Sequence, residues 1–194
     1  MKDLLYLVLP CYNEEEVLHE TSTQLKHKME DLIKQKKINP NSKIAFVNDG
    51  SKDNTWNIIQ QLCEDNDLYE GINLAHNVGH QHALLAGLIT VKERADMVIS
   101  LDADLQDDID AIDEMVDQYH NGYEIVYGVR KARTTDTKFK KWTAEAFYKL
   151  MNTMGVEIVF NHADYRLMSK RAIDELSKYN EVNTFLRGLV PTIG

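Results

Sequence analysis

The stretch MVISLDADLQD, residues 97–107, changes abruptly from apolar to acidic. Its first half is a short apolar run, which is typical of a strand buried on both faces of a sheet. Its second half carries Asp102, Asp104 and Asp107 directly after that strand. In an open parallel sheet, ligands bind beyond the carboxyl ends of the strands. The stretch therefore predicts both a central buried strand and a binding site at its end.

The same alternation of apolar runs and amphipathic stretches extends on both sides of this segment. Predicted strands cover Leu4 to Leu9, Ile44 to Val47, Gly71 to Leu74, Met97 to Leu101 and Ile125 to Val129. Helices are predicted between them, and the first begins at a capping box formed by Asn13 and Glu16. This rhythm predicts an α/β fold, a mostly parallel sheet with helices on both faces. One more strand is predicted at Ala163 to Met168 and a last helix at Lys170 to Tyr179.

Composition excludes several classes of protein. Lys and Arg total 22 and Asp and Glu total 31, so the net charge of −9 disfavours nucleic-acid binding. The 43% of hydrophobic residues suffices for a core. The two cysteines, Cys11 and Cys63, cannot form a disulfide framework or a four-ligand zinc site, which favours a reducing compartment. The sequence contains no run of 18 apolar residues, so no membrane span is predicted.

The acidic turn suggests a metal site. Where the chain bends, Asp102 and Asp104 can both face one hard cation, and Mg²⁺ or Mn²⁺ carried by a diphosphate is the natural partner. Helix capping is the alternative interpretation for these two residues. An EF-hand loop is excluded, because Asp107 occupies the position that requires glycine.

A nucleotide would have to be held without the usual glycine-rich motifs. No G-x-G-x-x-G follows the first strand, and no P-loop motif occurs in the chain. Tyr12 stacking on a base, with Glu14 and Asp49 accepting from base or ribose, is one interpretation; for Tyr12, packing at the sheet edge is the other. For the histidines after the third strand, a solvated helix N-terminus or a phosphate-facing edge is favoured over a zinc site. They are His76, His80 and His82.

Five short motifs, quoted at the end of this paragraph in chain order, resemble those of family 2 glycosyltransferases with the GT-A fold. Among these, the chain is similar to the polyprenyl-phosphate glycosyltransferases, a group that includes dolichol-phosphate mannose synthases and bactoprenol glucosyltransferases. The motifs are Pro10-x-Tyr12-Asn13-Glu14, Asn48-Asp49-Gly50-Ser51-x-Asp53-x-Thr55, Asn77-x-Gly79-His80-Gln81-x-Ala83-Leu84, Asp102-Ala103-Asp104-Leu105-Gln106-Asp107 and Asp164-Tyr165-Arg166-Leu167.

The resemblance implies a role for individual residues. The residues implied to hold a nucleotide-sugar are Pro10, Tyr12, Glu14, Asp49, Asp102, Ala103 and Arg130. The residues implied to bind Mg²⁺ or Mn²⁺ are Asp102, Asp104 and Gln106. Asp164 and Arg130 are the implied catalytic residues, Asp164 near the acceptor and Arg130 near the phosphates. Arg133 and Arg166 are implied on the acceptor side.

The implied activity is that of a metal-dependent, inverting hexosyltransferase. It would move a sugar from a nucleotide-sugar, UDP-glucose or UDP-N-acetylglucosamine, to polyprenyl (undecaprenyl) phosphate for the decoration of cell-envelope glycans. Family members usually continue past residues 185–188 into membrane helices. We therefore expect residues 1–194 to be one GT-A catalytic domain of a longer protein, itself soluble, that acts at the cytoplasmic face of the cell membrane. The apolar residues 186–193 favour a homo-oligomeric contact.

Three alternatives stay open at this point. The acceptor could be a saccharide hydroxyl, in which case Asp164 must take a proton. The chain could be a non-catalytic module that binds a sugar nucleotide. A phosphatase or receiver-type domain also uses strand-end aspartates, but the phosphatase motif comes after a first strand instead of a fourth. The basic segment 131–141 is either a solvated loop or a lid beside an anionic acceptor.

Overall fold

Strands and helices alternate through most of the described chain. The computed structural model describes residues 2–129 and 162–178. The strands are β1 (Leu5–Cys11), β2 (Lys43–Asn48), β3 (Tyr69–Asn73), β4 (Met97–Ser100), β5 (Ile125–Val129) and β6 (His162–Ser169). The helices are α1 (Leu18–Lys34), α2 (Thr55–Asp65), α3 (His80–Val91), α4 (Ala111–His120) and α5 (Lys170–Leu176).

Within the described residues the strands form one sheet in the order β3-β2-β1-β4-β6-β5. The pairings of β1 with β2, β1 with β4 and β2 with β3 are parallel. Strand β6 runs antiparallel to both of its neighbours, β4 and β5. The predicted α/β class with a mostly parallel sheet is thus confirmed, and the predicted sixth strand exists, inserted in the reverse direction.

The reversed strand matters for the position of the site. Ser100, the last residue of β4, pairs with Arg166 of β6. Because the two strands run in opposite directions, Asp164 lies beyond this pair on the same side as Asp102. The carboxyl ends of β1, β2, β3 and β4 and the beginning of β6 therefore meet at one edge of the sheet.

The core lies on both faces of this sheet. Along β1, Leu5, Leu7 and Leu9 pack with apolar residues of α1, α2 and α4 on one face. Tyr6 and Val8 pack on the other face with apolar residues of α3 and α5. Every residue of β1 is buried, as expected for a strand between two neighbours that is covered from both faces.

The predicted capping box at the start of α1 is wrong. The helix begins at Leu18 after Val17, and no side chain caps it. Asn13 has a left-handed backbone with φ of 57°, and its Oδ1 accepts a hydrogen bond from the backbone N–H of Lys52 at 2.8 Å. Its side chain therefore joins two loops at the sheet edge and is not available to the helix.

Helix α3 lies very close to the sheet at Gly87. A Cβ atom at this position would stand 2.7 Å from Cγ2 of Val47 and 2.7 Å from Cγ1 of Val8. Glycine is a poor helix former. Its presence in the middle of α3 is explained by the close approach of the helix to β1 and β2.

Substitution Gly87→Val tests this packing. We expect it to lower the free energy of unfolding by about 1–3 kcal/mol, because the added methyl groups overpack the contact with β1 and β2. Urea unfolding followed by circular dichroism measures the change. Ala86→Val, on the half-buried outer side of the same helix, is the matched control. Equal stability of the two variants would show that α3 does not need glycine at this contact.

Candidate active site

The loops after β1 and β2 are held together by hydrogen bonds from side chain to backbone. The backbone N–H of Asn13 donates to Ser51 Oγ at 3.0 Å, and that of Glu14 donates to Thr55 Oγ1 at 2.8 Å. The next N–H, of Glu15, donates to a carboxylate oxygen of the loop after β2 at 3.2 Å. These bonds fix the backbone on which Tyr12 and Glu14 stand at the edge of the sheet.

The three residues predicted to contact a nucleoside from β1 differ in accessibility. Pro10 is buried within the strand. Tyr12 is 41% exposed, so part of its surface is accessible to a ligand, and the structure does not decide between stacking on a base and packing at the sheet edge. Glu14 is half-buried. Contact of these residues with a nucleotide stays a prediction.

Asp49, after β2, is a structural anchor for α3. Its carboxylate is buried, with 2% exposure, and accepts from the backbone N–H groups of Val78 at 2.7 Å and Gly79 at 3.0 Å. Gly79 has φ of 87° and precedes the first residue of α3. Gly50 is required beside it, because a Cβ there would lie 2.5 Å from the backbone nitrogen of Asn77. Asp49 thus fixes where α3 begins, and its contact with a nucleoside stays a prediction.

The acidic turn after β4 is bent, which is the condition under which Asp102 and Asp104 were expected to face one cation. Leu105 has a left-handed backbone with φ of 54°. Ala103 is buried, and its carbonyl accepts from the hydroxyl of Thr21 at 2.6 Å. Asp104 is exposed, and its Oδ1 accepts from the backbone N–H of Gln106 at 3.1 Å. Neither Asp104 nor its acidic neighbour two residues earlier caps α4, whose N-cap is Asp110.

The surroundings of Asp102 disfavour the ionised form of its carboxyl group. Burial raises its pKa, whereas His80 lowers it. The neighbouring carboxylates that raise it further are Asp107, Asp104 and Asp164. Among the described residues, Oδ1 of Asp102 is a buried oxygen without a hydrogen-bond partner. A carboxylate held in this way favours a cationic ligand, because a cation would stabilise its ionised form.

Glu14 extends this group of acids from the β1 side. Burial raises its pKa first, and the carboxylates of Asp104, Asp53 and Asp102 raise it further. Within residues 2–129 and 162–178, however, no three His, Cys, Asp or Glu side chains converge closely enough to hold a metal ion by themselves. A divalent cation at this turn would take one or two protein carboxylates, and its other ligands would be water and phosphate oxygens.

A second cluster of polar side chains surrounds Asp164 at the beginning of β6. Asp164 is 3% exposed, and its Oδ1 accepts from Nη2 of the buried Arg166 at 2.9 Å. Its Oδ2 accepts from Nε2 of Gln81 at 2.7 Å. Nε2 of His80 lies 3.3 Å from the same oxygen and 3.6 Å from Oδ1 of Asp102. His80 therefore stands between the acidic turn and the Asp164 cluster.

Sequence reasoning and structure agree only partly for this cluster. Asp164 and Asp102 were both predicted site residues, and the structure brings them together through His80. Arg166 was predicted on the acceptor side; its side chain is 0% exposed and bonds to Asp164, so contact with an acceptor stays a prediction. Gln81 was not predicted. Gln81 belongs to the motif Asn77-x-Gly79-His80-Gln81-x-Ala83-Leu84, and that motif, together with its place after the third strand, was the signal that could have pointed to it.

Several other predicted residues lie outside the part of the chain that the structure describes. They are Arg130, Arg133, the basic segment 131–141 and the apolar residues 186–193. Both cysteines, by contrast, are described and free, Cys11 buried and Cys63 half-buried. Among the described helices, none combines the length and the apolarity that a bilayer crossing needs.

Comparison with known proteins identifies the family. Residues 6–177 match Glycosyl transferase family 2. The chain is 56% identical over 191 residues to an uncharacterized glycosyltransferase, YkoT, of Bacillus subtilis, which covers 98% of the chain and 57% of the relative. It is 35% identical over 189 residues to the bactoprenol glucosyl transferase of Shigella phage SfV, which covers 97% and 59%. The chain thus spans less than two thirds of the length of either relative.

A solved structure supports the fold. Glucosyl-3-phosphoglycerate synthase from Mycobacterium tuberculosis, in complex with Mn²⁺, UDP and phosphoglyceric acid, matches with a TM-score of 0.58 at 15% identity. The match covers 88% of this chain and 57% of that one. The predicted GT-A fold is confirmed, and the chain belongs to glycosyl transferase family 2.

Substitution Asp102→Asn tests the electrostatics of the acidic turn. Because burial raises the pKa of Asp102, the folded state binds its proton more tightly than the unfolded state, and stability is lost as the pH rises through the titration of this carboxyl. We expect the variant to unfold at a higher temperature than the wild type at pH 7. The difference should shrink as the pH falls toward the range in which the wild-type carboxyl is protonated.

Calorimetry over a pH series measures both effects. Asp31→Asn, at an exposed position of α1, is the control and should change little. A variant that is less stable than the wild type at pH 7 would show that Asp102 is stabilised by its surroundings instead of strained by them.

Proposed function

We propose that this family 2 glycosyltransferase transfers a hexose, with inversion, from a UDP-sugar to a polyprenyl phosphate. UDP-glucose and UDP-N-acetylglucosamine are the proposed donors. The observation that carries the proposal is the juxtaposition of the acidic turn with Asp164 and Arg166 at one sheet edge. The 35% identity to a protein named bactoprenol glucosyl transferase supports the acceptor class. We also propose that residues 1–194 form one catalytic domain.

The acidic turn fits a divalent cation. Asp102 offers a buried carboxylate oxygen that has no hydrogen-bond partner among the described residues, and Asp104 is exposed beside it. We assign Asp102 and Asp104 as ligands of Mg²⁺ or Mn²⁺, with Gln106 as the third candidate. When bound, the cation supplies positive charge that offsets the charge growing on the leaving diphosphate.

The donor nucleoside is assigned to the β1 side of the site. The ring of Tyr12 is open to stacking, and the half-buried Glu14 stands two residues further along a backbone that the β2 loop holds in place. Asp49 supports the site indirectly, because its carboxylate fixes the position at which α3 begins. Pro10 and Ala103, both buried, shape the backbone under the ligand. Arg130, outside the described residues, is proposed near the diphosphate.

The acceptor side suits a lipid phosphate. A phosphate monoester is largely ionised at pH 7, since its second pKa is about 6, so it can attack the anomeric carbon without losing a proton to the protein. Asp164 already accepts hydrogen bonds from Arg166 and Gln81. A carboxylate engaged in this way is better placed to orient neighbouring groups than to accept a proton. Arg133 is proposed on the same side of the site.

The proposed place of action is the membrane surface. The acceptor is a membrane lipid, and the matched relatives extend well beyond the region that this chain covers. We propose that the whole protein works at the cytoplasmic face of the cell membrane, where nucleotide-sugars are available, and that segments outside this chain provide attachment. Self-association remains part of this proposal.

Substitution Asp104→Ala tests the proposed metal site. We expect transfer of radiolabelled sugar from UDP-glucose or UDP-N-acetylglucosamine to polyprenyl phosphate, in the presence of Mn²⁺, to fall by at least about 100-fold, because the donor diphosphate loses electrostatic stabilisation. Asp65→Ala, at the exposed end of α2, is the control and should retain wild-type rates. Full activity of Asp104→Ala would remove the acidic turn from the mechanism.

A non-catalytic binding module is distinguished in the same assay. It would bind UDP in a metal-dependent way, but wild-type protein would transfer no sugar to any acceptor. A phosphatase would release phosphate without preference for uridine nucleotides.

Substitution Asp164→Asn distinguishes the two acceptor classes. With a lipid phosphate we expect a loss of about tenfold, because only the orientation of neighbouring groups is disturbed. With a saccharide hydroxyl the loss should reach about 100-fold or more, the usual contribution of a general base. Initial rates with polyprenyl phosphate and with a panel of saccharides measure this. A large loss with polyprenyl phosphate would contradict the proposed role of Asp164.

A further inference from the structure

The amide of Gln81 connects the first turn of α3 with the beginning of β6. Its Nε2 donates to Oδ2 of Asp164 at 2.7 Å, across 83 positions of the sequence. On the other side of the carboxylate, Arg166 donates to Oδ1 at 2.9 Å. Together the two donors fix the plane and the rotation of the Asp164 carboxylate.

Gln81 itself stands on a firmly held backbone. The carboxylate of Asp49 accepts from the N–H groups of Val78 and Gly79, immediately before α3. The carbonyl of Gly79 then accepts from the N–H of His82 at 3.0 Å, as expected for the first turn of a helix. The donor to Asp164 is therefore anchored through α3 to the loop after β2, on the side of the site assigned to the nucleotide.

The oxygen of the same amide accepts no hydrogen bond from the described residues. Among the described residues, Oε1 of Gln81 is buried and has no hydrogen-bond partner. A buried acceptor without a partner costs stability, and an apolar side chain of similar size would avoid that cost. The contact with Asp164 is the feature of this side chain that offsets it.

We propose that Gln81 is a positioning residue for glycosyl transfer, which acts on the reaction by holding the carboxylate of Asp164 in place. This inference rests on the proposed function, because a positioning role requires a reaction in which Asp164 takes part. Gln81 is not assigned to contact the donor or the acceptor. Its effect on turnover passes through Asp164 alone.

The test is a double-mutant cycle of Gln81→Leu and Asp164→Asn. Leucine keeps the approximate size of glutamine and removes the donor. We expect Gln81→Leu to lower kcat about three- to tenfold, no more than Asp164→Asn does, with the KM for the nucleotide-sugar changed less than about twofold. In the Asp164→Asn background the same substitution should change kcat less than about twofold, because the group on which it acts is already altered.

Gln60→Leu, at an exposed position of α2, is the matched control and should leave kcat unchanged. Thermal unfolding of the wild type and all four variants accompanies the kinetics. The inference is wrong if the fold-losses in kcat of the two single variants multiply in the double variant. It is also wrong if Gln81→Leu raises KM together with a general loss of stability. If wild-type protein transfers no sugar, the proposed function and the positioning role fail together; if wild-type protein is active and the losses multiply, only the positioning role fails.

Discussion

The antiparallel pairing of β4 with β6 is the constraint on which the site depends. The parallel strands β1 to β4 can present only the residues that come after their carboxyl ends, and from β4 these residues form the acidic turn. Strand β6 contributes its beginning instead, because it runs in the opposite direction, and Ser100 pairs with Arg166. The hydroxyl of Ser100 also donates to the carbonyl of Asp164. Asp164, which is far from Asp102 in the sequence, is thereby held on the same side of the sheet edge as Asp102.

The chemistry of the site results from charges that the fold brings close together. Burial and like-charged neighbours raise the pKa of both Asp102 and Glu14, so these carboxylates are electrostatically strained. Such strain is relieved by a ligand that carries positive charge. A divalent cation bound to a nucleotide diphosphate has this property. Basic groups of the protein would then neutralise the negative charge of the phosphates that the cation does not offset. We therefore propose that donor binding depends on the cation.

The sequence predicted the local features well, because hydrophobic periodicity and turn chemistry are local properties. Strand β4 was predicted at Met97 to Leu101 and observed at Met97–Ser100. The capping box at Asn13 failed, because a contact with the neighbouring loop competes for the same side chain. The direction of β6 was not predicted, since an apolar strand pattern reads the same both ways and does not reveal which strands it joins.

The candidate site shows the same division. Asp102, Asp104 and Asp164 were predicted from their positions and their motifs, and the structure places Asp102 and Asp164 on either side of His80. The engagement of Asp49 by backbone N–H groups, the burial of Arg166 and the contact of Gln81 with Asp164 were not found. Each of these depends on a tertiary contact between segments that are distant in sequence, which no pattern in one chain encodes.

A crystal of the protein soaked with UDP and Mn²⁺ provides the decisive test of the metal site, because the anomalous signal of manganese locates the cation directly. We expect one manganese peak in direct coordination with Asp102 or Asp104 and with the diphosphate of UDP, whose uracil lies on the β1 side near Tyr12. Manganese and UDP bound together elsewhere, with the acidic turn unoccupied, would contradict the assignment of this turn as the donor's metal site.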